Sequence, residues 1–161
     1  MNNQKNVMIK MVLDAWNNYL QRADSLFDLL TDEQLQSEVA PGRNRGIYLL
    51  GHLTAVHDGM LPLLEFEEQL YPELTVPFLT EADNPSKQIH TTTELRSCWK
   101  KVSLSLTDHI GDVKTEEWFQ RHTAVSQENF IKEPHRNKLN ILINRTNHLS
   151  YHLGQLTFLK K

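Results

Sequence analysis

The chain has 161 residues, with 17 Lys and Arg against 20 Asp and Glu and a formal charge of -3. That length suits one domain, residues 1–161, with a core large enough to need no disulfide or structural metal. The slightly acidic balance offers no electrostatic footprint for nucleic acid or an anionic membrane, and the single cysteine, Cys98, rules out an internal disulfide.

At the start, MNNQKNVMIK has no apolar run of the kind a secretory signal carries. No later stretch nears the roughly 18 apolar residues of a spanning helix, so the expectation is a soluble, cytoplasmic protein without a membrane partner. From Met8, the residues Met11, Val12, Ala15, Trp16, Tyr19, Leu20, Ala23, Leu26, Phe27 and Leu30 fall at the three-and-four spacing of an amphipathic helix. Thr31 reads as a cap followed by one short extra turn, and Pro41-Gly42 breaks the chain.

A second helix begins near Asn44. Tyr48, His52, Ala55 or Val56, Gly59 and Leu63 share one face, flanked by Leu49, Leu53 and Met60, which predicts that His52 points toward the core. Pro62 removes a backbone donor inside this pattern and predicts a kink or division near Gly59. His57, five residues past His52, rotates off that face and with Asp58 reads as a partly solvated pair.

Residues 71–92 hold three of the six prolines and little periodicity, a long connection that either spans a bundle or covers one end of it. Thr91 and Glu94 then stand at capping-box spacing before a third helix with the stripe Leu95, Cys98, Trp99, Val102, Leu106 and Ile110, ending at Gly111. Within 112–133 one short turn capped by Thr115 carries Trp118 and Phe119, followed by an irregular segment. Pro134 suits the first turn of the last helix, whose stripe is Leu139, Leu142, Ile143, Thr146, Leu149, Leu153 and Leu156. No strand is predicted. Four long helices with two long connections make an all-α fold, a four-helix bundle with long crossover connections, the economical solution.

Histidine is the outlier, with 8 in the chain. His148 and His152, four apart on the last helix, stand one above the other on one face and can both point at one ion. Two ligands do not close a site, and the inward His52 of the second helix is the candidate third. Three neutral imidazoles suit zinc, nickel, iron or copper, and three protein ligands with a free position resemble a catalytic site more than a structural one. Gly51 and Gly154 are expected to let the two helices approach. Gln155, Tyr48, Asp58 and Arg145 are candidate supporting or substrate contacts by helical phase. His90, His109, His122 and His135, near loops or helix ends, read as solvent-exposed. Trp16, Trp99 and Trp118 read as core anchors and Cys98 as packing.

LLGHL in the second helix, the proline-rich connection, and HLSYHLGQL near the carboxyl end, with His148, His152, Gly154 and Gln155 in an HxxxHxGQ string, resemble the DinB/YfiT-like superfamily over essentially the whole chain. The resemblance implies a bundle with long crossovers, commonly a homodimer, and a divalent metal held at His52, His148 and His152. It also implies a metal-dependent S-transferase or hydrolase acting on small molecules, with a low-molecular-weight thiol as partner. No further motif identifies the substrate. The alternative is a non-catalytic metal-binding or stress-related bundle that acts by interaction.

Overall fold

A computed structural model describes residues 2–160, and among them the ordered elements are helical, with no strand. Two isolated bridges, Glu38 with Arg45 and Arg121 with Asn137, are the only β-type pairings among those residues. The α-helices are α1 (Asn2–Leu29), α2 (Asp32–Gln36), α3 (Gly46–Asp58), α4 (Met60–Leu63), α5 (Thr92–Asp112), α6 (Gln127–Lys132) and α7 (Lys138–Leu156). The helix α1 lies along α7 and α3 along α5, with further contact between α3 and α7 and between α1 and α5. No helix of the described residues is long and apolar enough to cross a membrane.

The core-facing stripe of α1 runs through Ile9, Trp16, Leu20, Ala23, Leu26 and Phe27 and continues into Leu30 just past its end. Toward its start the stripe differs from expectation: Ile9 is buried, whereas Met8, Met11 and Ala15 are exposed, because the face turned to the core there is the one that carries Ile9 and Trp16. Thr31 caps α2 through a reciprocal box with Gln34, and Thr91 caps α5 through the same arrangement with Glu94. Each box satisfies two of the backbone donors that a helix start leaves unpaired.

Near Gly59 the second helix divides into α3 and α4, as Pro62 predicts, since its missing N–H cannot bond back to Asp58. Phe66 N–H then donates to Leu61 O (2.9 Å) and Glu65 N–H to Pro62 O (3.3 Å), a Schellman ending with Glu65 in the left-handed region. The buried face of α3 carries Leu49, Leu50, Leu53, Thr54, Ala55, His57 and Asp58, not the face predicted around Tyr48 and His52. Tyr48, His52 and Val56 are only half-buried.

His57 and Asp58 are fully enclosed, which corrects the reading of a solvated pair. The His57 ring lies 5.0 Å from Trp16 and 5.0 Å from Trp99, while Asp58 accepts from the Leu70 and Tyr71 amides at 2.8 and 2.9 Å. Burial pushes the His57 pKa down to about 3, so the ring is neutral. Trp16, Trp99 and Trp118 are core residues, and Trp99 Nε1 donates to Asp24 Oδ1 at 2.7 Å.

Residues 71–92 fold as single turns. One is a π turn over Val76–Thr80, closed by Glu81 N–H to Val76 O at 3.0 Å, which buries Phe78 against α3. Asp83 then pins the connection by pairing with Arg45 (2.6 Å), both nearly buried.

The second connection contains α6, capped by Ser126, where an irregular segment is expected. Thr115 donates to Asn6 and does not cap the turn at Glu117–Phe119. Pro134 precedes the last helix without entering it, because Asn137 caps α7 by accepting from Asn140 N–H (3.0 Å). Ile143 is exposed and leaves the predicted stripe. His122 is buried, contrary to expectation; His135 is exposed, and His90 and His109 are half-buried.

Candidate metal centre

His52 on α3 and His148 and His152 on α7 bring one nitrogen each within 4.8 Å of one another. The two helices supply the arrangement for different reasons. On α7 the four-residue spacing stacks His148 and His152, with ring centroids 4.6 Å apart. On α3, the edge of the buried face delivers His52, whose ring centroid is 5.1 Å from His148 and 5.0 Å from His152.

The outward nitrogens fix the inward ones. His52 Nδ1 lies 2.9 Å from Phe78 O, and His152 Nδ1 lies 2.7 Å from Gln155 Oε1. Each of those oxygens only accepts, so each Nδ1 carries its hydrogen and each Nε2 presents a lone pair. Both lone pairs face His148 Nε2, at 3.1 Å in each case. A single hydrogen on His148 Nε2 satisfies one of them and leaves the other opposed.

Three convergent imidazole nitrogens are therefore matched to a shared cation. Nitrogens at about 2.0–2.1 Å from one tetrahedral zinc stand roughly 3.3 Å apart, close to the two separations found. Burial, the neighbouring His152 and His52, and Arg145 hold the His148 pKa down at about 4, and burial lowers that of His152. Both shifts favour the neutral ring, the form in which imidazole donates to a metal. All three histidines are half-buried, so one side of the cluster stays open.

The surrounding shell is partly as expected. Gln155, oriented by donating to Tyr151 Oη (3.2 Å), holds His152. Tyr48 stacks on His52 with rings 6.2 Å apart and donates to Glu81 O (2.8 Å), so it holds ring and connection together. Arg145 lies on the same side of α7, three residues before His148. Asp58 is fully buried and accepts from the Leu70 and Tyr71 amides, one at each carboxylate oxygen. Gly51 also plays another part than predicted: the Phe78 ring occupies the space a Cβ would need, whereas a Cβ at Gly154 meets nothing within 4 Å.

Two participants escape a reading by residue type. Phe78 acts through its carbonyl, for which no side-chain signal exists. Tyr151 was findable, since it precedes Gln155 by four residues on one helix. Comparison of the chain with protein-family models and with curated proteins returns no match.

Proposed function

We propose that this chain is a divalent-metal protein in which His52, His148 and His152 hold zinc, nickel or iron for a reaction on small molecules. The observation that carries the reading is the pair of outward acceptors, Phe78 O and Gln155 Oε1, which turn two Nε2 lone pairs onto the third histidine. A histidine cluster kept only for packing has no need of such orientation, whereas metal ligands characteristically have it. When bound, the ion supplies a Lewis-acid position that lowers the pKa of a coordinated water or thiol. The half-buried setting leaves room for a substrate, which favours an enzyme over a closed structural site.

The reaction class we propose is thiol-dependent S-transfer or hydrolysis. In either, the deprotonated sulfur or oxygen attacks an electrophilic carbon and the leaving group departs with its electron pair. Within the chain, Phe78 and Gln155 hold the ligand rings, and Tyr48 stacks over His52. The finer architecture we propose is a DinB/YfiT-like four-helix bundle formed by α1, α3, α5 and α7, acting in the cytoplasm as a homodimer.

Elemental analysis of untagged protein beside His148→Ala tests the metal. About one ion per chain, lost in the variant, is expected. No ion in either, and no uptake on adding zinc, nickel or iron, overturns the reading and brings the interaction-protein alternative forward.

A further inference from the structure

Arg145 precedes His148 by three residues on α7, and its setting is unusual for an arginine. It is half-buried, its Nε is shut off from solvent, and that Nε has no hydrogen-bond partner. Among the described residues it joins no ion pair, whereas Arg45, Arg96 and Arg136 each meet a carboxylate. An arginine whose fork is partly desolvated and unmatched is costly to keep unless something completes it.

Its position says what it faces. Arg145, His148 and His152 are spaced three and four apart along α7, the spacing that stacks side chains on one side of a helix. All three are half-buried. Arg145 also acts on its neighbours as a positive charge, being among the causes that lower the His57 and His148 pKa values.

Among the described residues no carboxylate forms an ion pair with Arg145. Asp58 accepts the Leu70 and Tyr71 amides, and Asp83 is locked to Arg45. The guanidinium thus brings positive charge to the side of α7 that carries His148 and His152, and a divalent ion would add to it. Planar guanidinium forks match the geometry of carboxylate and phosphate oxygens.

We propose that Arg145 is an oxyanion-binding residue beside the three-histidine centre, and that the substrate is a small organic anion whose carboxylate or phosphate it holds. This rests on the metal-site reading for its catalytic meaning, but the anion contact itself needs no metal.

The test is the Arg145 Nε–H resonance in nitrogen-15 NMR spectra, followed on adding sodium acetate or sodium phosphate at constant ionic strength to metal-free and zinc-loaded protein. A saturable shift with at least one anion in the metal-free protein is expected, with the tighter of the two identifying the oxyanion type. Arg145→Gln should weaken binding, read from the backbone amide shifts of α7, by roughly 10–100-fold, the loss typical of a charge-assisted hydrogen bond. Arg145→Lys should recover part of it, and both variants should keep the zinc stoichiometry of the parent. If neither anion moves the resonance in either form, or if Arg145→Gln binds as tightly as the parent, the proposal is overturned. Failure of the parent to take up zinc would instead remove the metal reading, and the metal-free titration would still decide the role of Arg145.

Discussion

Replacing Gly51 with alanine should damage the fold and the histidine centre together. An added Cβ at this position meets three carbons of the Phe78 ring, and that ring is buried between the π turn and α3. Overpacking of this kind costs about 1–3 kcal/mol, which for a chain of this size lowers the melting temperature by roughly 3–10 °C. Displacing Phe78 also moves the carbonyl that accepts from His52 Nδ1, and loss of such a ligand-orienting bond weakens metal binding by about 10–100-fold. Gly154→Ala is the matched control, because a Cβ there meets nothing and the helix gains about 0.5–1 kcal/mol from losing a glycine. Thermal melts without metal and zinc competition against a chromophoric chelator read the two effects separately. A Gly51→Ala variant that melts and binds zinc like the parent would refute the reasoning, as would a Gly154→Ala variant that loses zinc affinity.

Alanine at His52, His148 or His152 should each lower zinc affinity by about 100-fold or more while the far-ultraviolet dichroism stays helical, checked by chelator competition. Gln155→Ala should cost less, about 10–100-fold, because it removes orientation and leaves every ligand in place. Acid stability should report His57. Its folded pKa, about 3, lies below the ordinary value near 6.5, so the unfolded chain takes up the proton first. Stability therefore falls as pH drops from about 6.5 toward 3, at up to about 1.4 kcal/mol per pH unit, and urea titrations of His57→Leu should lack that component. Asp58→Ala should destabilise the chain by about 2–4 kcal/mol, since two loop amides lose their acceptor, with faster hydrogen exchange at Leu70 and Tyr71 as the signature.

The helices and their starts were legible in the sequence wherever one signal dominated. Thr91 with Glu94 is a local device, and both of its hydrogen bonds are present. His148 and His152 were equally readable, because four-residue spacing on a helix fixes their relation without reference to the rest of the molecule. The phase of α3 was not. GIYLLGHLTAVHD is apolar nearly all round, so no stripe stands out, and which face is buried depends on α5 and the π turn packing against it. That single uncertainty of phase accounts for both His52 at the edge and His57 in the core. His57 owes its burial to Trp16 and Trp99, contributed by two other helices. The α6 helix did carry a local signal in Ser126, which accepts from Asn129 N–H. Phe78 O carried none, since a main-chain acceptor is available at every residue and only the folded path selects one.

The π turn at Val76–Thr80 makes the length of the connection a chemical variable. A π turn holds one residue more in each hydrogen-bonded ring than an α turn, so it has the form of a single-residue insertion absorbed locally. Deleting one residue inside it would restore α geometry and swing the Phe78 carbonyl by about 100° around the local axis, away from His52. Beyond Asp83 the connection stays tied to the same place, since Arg45 Nη1 donates to Gln88 Oε1 (2.7 Å) and the His90 ring lies 5.9 Å from Phe78. A change of length on either side of the Asp83–Arg45 pair is thus coupled, through Phe78, to the imidazole of His52.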